Sequence, residues 1–347
     1  MTATTTTQTG SPAGTTERRQ RVFSGIQPSG NFHLGNYLGA IRNWANQQYQ
    51  YESIFCIVDL HALSLDITRE SMMQNITSVA NTVLAAGVDP EHCIFFVQSD
   101  VHEHAELCWI LQSVTRFGEL RRMTQFKDKS GGEEEGVSAA LFTYPGLQAA
   151  DIVLYDTHLV PVGADQRQHI ELTRDIAYRF NQRFGQTFVL PQADIKEHGA
   201  RIMSLDDPTK KMSKSSGNEA SYIALSDSPS AIRKKIRRAV TDSGSEIIAS
   251  DDKPALKNLI GIYSILTEKT PEQVQDLYVG KGYGAFKADL AEIVVNTIEP
   301  IQQRLAELEA QPEVTRDILA RGAERAREIA SKKMVEVRNA IGLGAGR

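Results

Sequence analysis

The chain has 347 residues, of which 41% are hydrophobic and 23% are charged, and its formal net charge at pH 7 is −5. This length and composition are typical of a soluble two-domain protein, and no apolar run approaches the roughly 20 residues that a membrane helix requires. The net charge excludes an overall basic surface, so a nucleic-acid interface would have to be a local patch. Three cysteines, Cys56, Cys93 and Cys108, without a C-x-x-C pair predict neither a disulfide framework nor a metal site.

The first 20 residues, "MTATTTTQTGSPAGTTERRQ", contain no apolar core segment. Their composition predicts a disordered tail rather than a signal peptide. From Arg21 to about Gly185, strand-like runs ("RVFSGI", "SIFCIVD", "CIFFVQS") alternate with helical segments such as 36–50 and 70–86. The alternation predicts an α/β fold with a Rossmann-like, doubly wound parallel sheet, whose ligands bind at the carboxyl ends of the strands.

The segment "PSGNFHLGN" directly follows the first strand and should open a helix at that ligand-binding edge. Backbone N–H groups at a helix start attract anions, and glycine at position 35 lets a large ligand approach the backbone. His33 would then lie over a phosphate or a ribose. A strand–turn–helix with glycines is common, however, so a purely structural role for these residues is the alternative.

"HEHAE" (102–106) resembles a metal cluster, but its residues do not recur at a tetrahedral spacing, and we interpret it as a solvated helix start. "KDKSGGEEEG" (127–136) is typical of a mobile exposed loop. In "TYPGLQAADIVLY", a helix that begins near Pro145 would place Gln148, Asp151 and Tyr155 on one face, with Tyr144 at its entrance. A carboxylate between Ala150 and Ile152 needs a donor, unless it caps a local turn or meets an arginine.

"VGADQ" (162–166) ends a strand and is consistent with ribose or adenine contact, although Asp165 could equally cap the helix that follows. "KKMSKSSG" (210–217) is either a solvated linker or a flexible clamp, in which Lys211 and Lys214 would follow polyphosphate charge during a reaction. After Gly217 the segments become helical in length and period. In "AIRKKIRRAV" (231–240), an apolar seam of Ile232, Ile236 and Val240 leaves five basic side chains for solvent or for RNA phosphates.

Two of these segments together resemble the signatures of the class I aminoacyl-tRNA synthetases: "HLGN" is similar to the HIGH element, and "KMSKS" matches the second signature letter for letter. Further segments resemble the bacterial tryptophanyl branch of that class, among them "FCIVDLHA", "GELRRMTQFKDKS", "VPVGADQRQHIELTRDIAYRFN" and "GKGYGAFKADLA". The similarity runs from about residue 21 to the C-terminus.

The resemblance implies a cytoplasmic homodimeric ligase with a catalytic domain at 21–217 and a helical anticodon-binding domain at 218–347. Such an enzyme activates L-tryptophan with ATP and Mg²⁺ and transfers it to tRNA(Trp). The implied catalytic residues are His33, Lys211 and Lys214, with Lys129 as a secondary candidate. The implied ATP-binding residues are Gln27, Pro28, Ser29, Gly35, Asn36, Gly163, Ala164, Asp165, Ile202, Lys211, Met212, Ser213, Lys214 and Ser215. The implied tryptophan-binding residues are Phe23, His61, Tyr144, Gln148, Asp151 and Gln166.

Gln148 departs from the bacterial tryptophanyl pattern, which often has methionine there, and "YxxLQAxD" also resembles the tyrosyl enzymes. Those enzymes pair their aspartate with a tyrosine from the first strand, where this chain has Phe23. An aspartate without that tyrosine suits an indole, which has one donor, better than a phenol. A tyrosyl enzyme, a non-catalytic RNA-binding or protein-binding paralogue and a nucleotidyltransferase of the same fold are the alternatives.

Overall fold

The computed structural model describes residues 19–30, 32–126, 138–195, 201–214 and 217–344. Its centre is a five-stranded parallel sheet in the order β3-β2-β1-β4-β5. The strands are β1 (Arg21–Ile26), β2 (Glu52–Ile57), β3 (Cys93–Val97), β4 (Leu159–Pro161) and β5 (Gln192–Asp194). β3 and the second part of β2 (54–57) are continuous apolar runs because helices cover both faces of the sheet. The predicted α/β fold is confirmed.

The strand order reverses beside β1, whose neighbours are β2 on one side and β4 on the other. Crevices of parallel sheets open at such a reversal, outside the carboxyl ends of the strands. The segment that follows β1 and the segment that follows β4 both begin at this edge. The topology therefore directs two of the sequence-predicted nucleotide segments to one crevice.

Helices connect the strands of the sheet domain. They are α1 (Leu34–Asn36), a π-helical stretch (Tyr37–Ile41) that continues into α2 (Arg42–Gln47), α3 (Asp59–Ala62), α4 (Arg69–Ala85), α5 (Glu103–Gln112), α6 (Phe117–Arg121), α7 (Ala139–Val153) and α8 (Arg167–Phe184). Short 3₁₀ turns occupy Gln98–Asp100 and Ala164–Gln166. α4 agrees with the predicted helix at 70–86.

The helix that carries Asp151 begins earlier than predicted. α7 starts after Ser138, whose side chain accepts a hydrogen bond from the Leu141 backbone N–H, and Pro145 lies inside it. Serine is a strong N-cap, and this signal outweighed the preference of proline for a first turn. Tyr144 is therefore inside the helix rather than at its entrance.

The C-terminal region is helical, as predicted. Its helices are α9 (Pro229–Arg238), α10 (Pro254–Thr267), α11 (Pro271–Asp276), α12 (Tyr283–Ala310) and α13 (Pro312–Ala340). In α9 the seam residues Ile232 and Ile236 are buried, whereas Val240 lies beyond the helix and is 45% exposed, so the predicted third seam position was wrong. Within the described part of the chain, no helix is long and apolar enough to cross a membrane.

α13 lies against the backbone of the edge strand β3. A Cβ atom added at Gly322 would be 1.8 Å from the Phe95 carbonyl oxygen, so only glycine permits this approach. The Arg325 guanidinium donates to the carbonyl oxygens of Pro90 and Cys93. Side chains of the helical region and of the sheet thus pack together in two apolar clusters, and a domain boundary at 217 stays a prediction.

Candidate active site

The two signature-like segments, distant in sequence, meet in the structure. The Leu34 N–H donates to the Ile223 carbonyl at 2.8 Å, and the Leu225 N–H donates to the Phe32 carbonyl at 3.0 Å. These bonds join the start of α1 to the chain that follows the 210–217 segment. Met212 is buried, and its Cβ would lie 3.5 Å from a Cβ added at Gly35. The segment with Lys211 and Lys214 is therefore packed on the start of α1.

His33 is buried at this junction, with 8% of its surface exposed. Its ring lies over Gly35, because a Cβ at position 35 would be 3.0 Å from the ring. A side chain at position 35 would therefore crowd the histidine ring. His33 Nδ1 is a buried nitrogen without a hydrogen-bond partner among the described residues. Burial, and then the positive charge of Lys211, lower the pKa of His33 to about 4, so the ring is neutral at pH 7.

The lysine segment is held by backbone bonds on one side. The Met212 N–H donates to the Ile202 carbonyl at 2.9 Å, and the Ser204 N–H donates to the Lys210 carbonyl at 2.8 Å. Ile202 is itself buried, while Ser213 is half-buried and Lys211 and Lys214 are exposed. The anchored backbone leaves both ammonium groups able to reach a ligand. Ser215 and Lys129 lie outside the described residues.

The other predicted nucleotide residues follow β1 and β4. Gln27 and Ser29 are exposed and Pro28 is buried, and the Asn36 Oδ1 accepts a hydrogen bond from the His33 N–H at 3.0 Å. Gly163 and Asp165 are exposed after β4, and the backbone of Ala164 begins a 3₁₀ turn.

Asp165 does not cap α8. The N-cap of that helix is Gln166, without a side-chain cap, and the Gln166 Nε2 donates to the Asp165 Oδ2 at 3.1 Å. The capping interpretation was wrong because Asp165 lies inside the 3₁₀ turn, which places Gln166 at the N-cap position.

Asp151 lies near the end of α7 and is 1% exposed. Its Oδ1 accepts hydrogen bonds from Gln98 Nε2 at 2.6 Å and His104 Nδ1 at 2.7 Å, and its Oδ2 accepts one from His61 Nε2 at 2.8 Å. The alternatives of a turn cap or an arginine partner were therefore wrong. Burial alone raises the pKa of Asp151, but the hydrogen bonds from His104 and His61 outweigh it and hold this pKa below the usual carboxylate value.

Gln98 and His104 were not identified as site residues from the sequence. "HEHAE" was interpreted as a solvated helix start, but His104 has no exposed surface, and only its neighbours face solvent. The available signal was the helical spacing of Val101, His104, Leu107 and Leu111, which places the histidine on the apolar face. Gln98 follows β3 directly, at the ligand-binding edge of the sheet.

Aromatic rings lie around Asp151 and its partner His61. The rings of His61 and Tyr144 meet edge to face at 6.4 Å between centroids, and the Tyr144 hydroxyl lies 2.6 Å from His169 Nε2. Phe23 is buried and stacked on Tyr155 at 5.7 Å. Gln148, one turn before Asp151 on α7, is half-buried, as is Gln166. The carboxylate of Asp151 thus has His61 against it, with the Tyr144 ring beside His61.

The fold is a parallel α/β sheet, and the segments that resemble the two class I signatures meet where its strand order reverses. This is the arrangement expected of a class I tRNA synthetase. The family model for the class I tRNA synthetases of tryptophan and tyrosine (W and Y) matches residues 15–299, and the chain belongs to this family.

Its curated relatives fall in the tryptophan branch. The chain is 52% identical to the tryptophan–tRNA ligase of Bacillus subtilis over 95% of its own length and 99% of that protein. It is also 52% identical to that of Listeria monocytogenes, over 94% of this chain and 98% of the relative.

Solved structures of tryptophanyl-tRNA synthetases superpose on this chain. The tryptophanyl-tRNA synthetase of Mycoplasma pneumoniae superposes with a TM-score of 0.85 at 35% identity, covering 94% of this chain and 99% of that one. The Campylobacter jejuni enzyme, solved with ADP and tryptophan, has a TM-score of 0.78 at 38% identity, covering 93% and 100%. A tyrosyl-tRNA synthetase of Archaeoglobus fulgidus, at 22% identity, shares the fold alone.

Proposed function

We propose that this protein is a tryptophan–tRNA ligase. It activates L-tryptophan with ATP to tryptophanyl-adenylate and pyrophosphate, and then transfers the tryptophanyl group to the 3′ end of tRNA(Trp). The observation that carries the proposal is the packing of the lysine segment on the start of α1, in a chain 52% identical to a tryptophan–tRNA ligase. Neither a tyrosyl enzyme nor a non-catalytic paralogue has comparable support.

In the first step an oxygen of the tryptophan carboxylate attacks the α-phosphorus of ATP. The bond from that phosphorus to the bridging oxygen of the β-phosphate breaks, and pyrophosphate leaves with the electron pair. The carboxylate is already ionised at pH 7, so no protein nucleophile or base is needed. The protein contributes alignment and charge: Lys211 and Lys214 stabilise the phosphate charge, and Lys129 is a secondary candidate.

Backbone groups around Gly35 and Asn36 and the neutral His33 ring complete the proposed nucleotide cradle. His33 Nδ1 has no partner among the described residues, so a ribose hydroxyl or a phosphate would satisfy it. The predicted ATP contacts come from the Gln27–Ser29 and Gly163–Asp165 segments and from Ile202, Met212, Ser213 and Ser215. Magnesium enters as part of the substrate, as the Mg²⁺ complex of ATP, because lysines rather than carboxylates dominate the signature segments.

Tryptophan would bind with its indole N–H directed at Asp151 Oδ2. Phe23, His61 and Gln148 would surround the ring, and Tyr144 and Gln166 would contact the amino and carboxylate groups. In the second step a hydroxyl of the terminal tRNA ribose attacks the acyl carbon, and AMP leaves. Residues 218–347 are the proposed anticodon-binding domain.

We further propose a cytoplasmic homodimer. Both ATP and tRNA are cytoplasmic substrates. Trp109 and Phe117 are 76% and 70% exposed, which is unusual for large apolar side chains and fits a protein interface.

The test is the exchange of labelled pyrophosphate into ATP with tryptophan, with tyrosine and with no amino acid. Exchange that requires tryptophan supports the proposal. Exchange with tyrosine alone would overturn the specificity, and its absence with both would overturn the activity.

A further inference from the structure

The Asp151 carboxylate has few acceptor positions left. A carboxylate offers about four lone-pair positions, two on each oxygen. Gln98 and His104 occupy both positions on Oδ1, and His61 occupies one on Oδ2. Among the described donors no other reaches the carboxylate, so a single acceptor position remains, on Oδ2. The number of open positions equals the number of donors on an indole ring.

His104 is fixed at both ring nitrogens. Its Nδ1 is 2.7 Å from Asp151 Oδ1, and its Nε2 is 2.7 Å from the Tyr155 hydroxyl. The ionised carboxylate only accepts, so Nδ1 carries a proton and donates to it, while Nε2 is hydrogen-bonded to the tyrosine hydroxyl. The ring is thus held at both nitrogens, and its Nδ1–H donates to Asp151.

The core holds this chain of hydrogen bonds in place. Tyr155 has no exposed surface, stacks on Phe23 and meets the Phe96 ring edge to face at 6.0 Å. Gln98 Oε1 accepts from the Leu60 N–H at 3.1 Å, which turns its Nε2 toward Asp151. Neither Asp151 Oδ1 nor its two donors can rotate without breaking buried hydrogen bonds.

We propose that His104 is a positioning residue for amino-acid specificity: it saturates Asp151 Oδ1 and aims the one open position on Oδ2 at the ring N–H of the substrate. The inference rests on the proposed tryptophan–tRNA ligase function and names a residue that does not itself touch the substrate. A substrate without the N–H leaves a buried charged acceptor unpaired, which is a strong basis for rejection. Loss of His104 opens a second position on Asp151 and frees the carboxylate to turn.

The test compares His104→Leu with His104→Asn. Leucine and asparagine have similar shapes, but only the asparagine amide can replace the Nδ1–H donor. For each variant, kcat/KM in pyrophosphate exchange is measured with tryptophan and with β-(3-benzothienyl)alanine, in which sulfur replaces the ring N–H. His104→Leu should lower the preference for tryptophan by about tenfold or more, and His104→Asn should retain most of it.

The same exchange with His102→Leu is the matched control, because His102 lies on the same segment but is exposed. It should keep the wild-type preference. Equal losses for both amino acids in His104→Leu, or equal losses of preference in the leucine and asparagine variants, would show a merely structural role and overturn the inference.

If His104→Leu does not fold, as judged by circular dichroism, Tyr155→Phe tests the positioning role of His104 instead. This change removes only the hydroxyl that holds His104 Nε2, and the preference for tryptophan should fall by a few-fold. An unchanged preference would overturn the inference. The proposed function fails separately, and only if the wild-type protein shows no tryptophan-dependent exchange.

Discussion

At the scale of single residues, charge and burial divide the site into two parts. Lys211 and Lys214 are exposed on an anchored backbone, whereas Asp151 is buried and fully ionised. The exposed cations can follow charge that moves during a reaction, while the buried anion can only select what sits beside it. Rate and selectivity should therefore respond to different substitutions.

Lys214→Ala tests the rate side. We expect the exchange rate at saturating tryptophan to fall by about 10²-fold or more, because the ammonium group acts on charge that develops in the transition state. Tryptophan binding, measured by equilibrium dialysis, should change little. Lys210→Ala is the control, since Lys210 pairs with Asp207 on the same segment. A parallel loss of binding and rate would contradict the assigned role.

His33 should make the protein less stable in mild acid. Its pKa is about 4 in the folded state, against about 6.5 in an unfolded chain, so between these values only the unfolded state takes up the proton. The stability is present above about pH 6.5 and is lost as the pH falls toward 4, by roughly 1 to 2 kcal/mol at pH 5.

Urea unfolding at pH 7 and pH 5 measures this loss. His33→Asn, which cannot take up a proton, should show a smaller drop in the free energy of unfolding between the two pH values. An identical drop in both proteins would mean that other groups account for it.

At the scale of secondary-structure elements, the sequence was sufficient where a pattern was local. Strands β1, β2 and β3 and helix α4 followed from apolar runs and helical period. The start of α7 did not follow, because Ser138 and Pro145 are competing local signals for a helix start. The burial of His104 did not follow either, because its polar neighbours indicated solvent and its apolar helical spacing indicated the core. The adjacency of His33 and Lys211 came from the family resemblance, since no local pattern joins segments so far apart.

Gly322→Ala tests the contact between α13 and β3. The new methyl group would meet the Phe95 backbone, which cannot rotate away, so we expect a loss of about 1 to 3 kcal/mol in the free energy of unfolding. Gly261→Ala is the matched control, because this helical glycine has no atom within 4 Å of an added Cβ. That variant should be neutral or more stable by up to about 1 kcal/mol. Equal melting temperatures for the two variants would refute the proposed crowding.

At the scale of the whole molecule, two surface features lie outside the apolar clusters. They are the exposed aromatic side chains on α5 and α6 and the basic face of α9. On α9, Arg233 pairs with Glu292 and Lys235 with Asp227, which supports a partly structural role for its charges. Phe117 meets the Phe142 ring at 4.9 Å between centroids but is still 70% exposed, and Trp109 is 76% exposed.

Trp109→Asp should shift the protein from dimer toward monomer in light scattering, because a charge would replace an apolar contact in the proposed interface. Val279→Asp is the control, since Val279 is 80% exposed in a different region, between α11 and α12. A dimer that persists in Trp109→Asp would exclude this surface.

The close contact between Gly322 and the Phe95 backbone also has a consequence for biosynthesis. β3 is an edge strand, and the helix that shields its outer backbone is translated long after the strand itself. Until α13 leaves the ribosome, the nascent sheet presents an unprotected strand to other polypeptides. The native state can therefore be completed only after the last helix is synthesised. A chain that ends before Pro312 should be prone to aggregation.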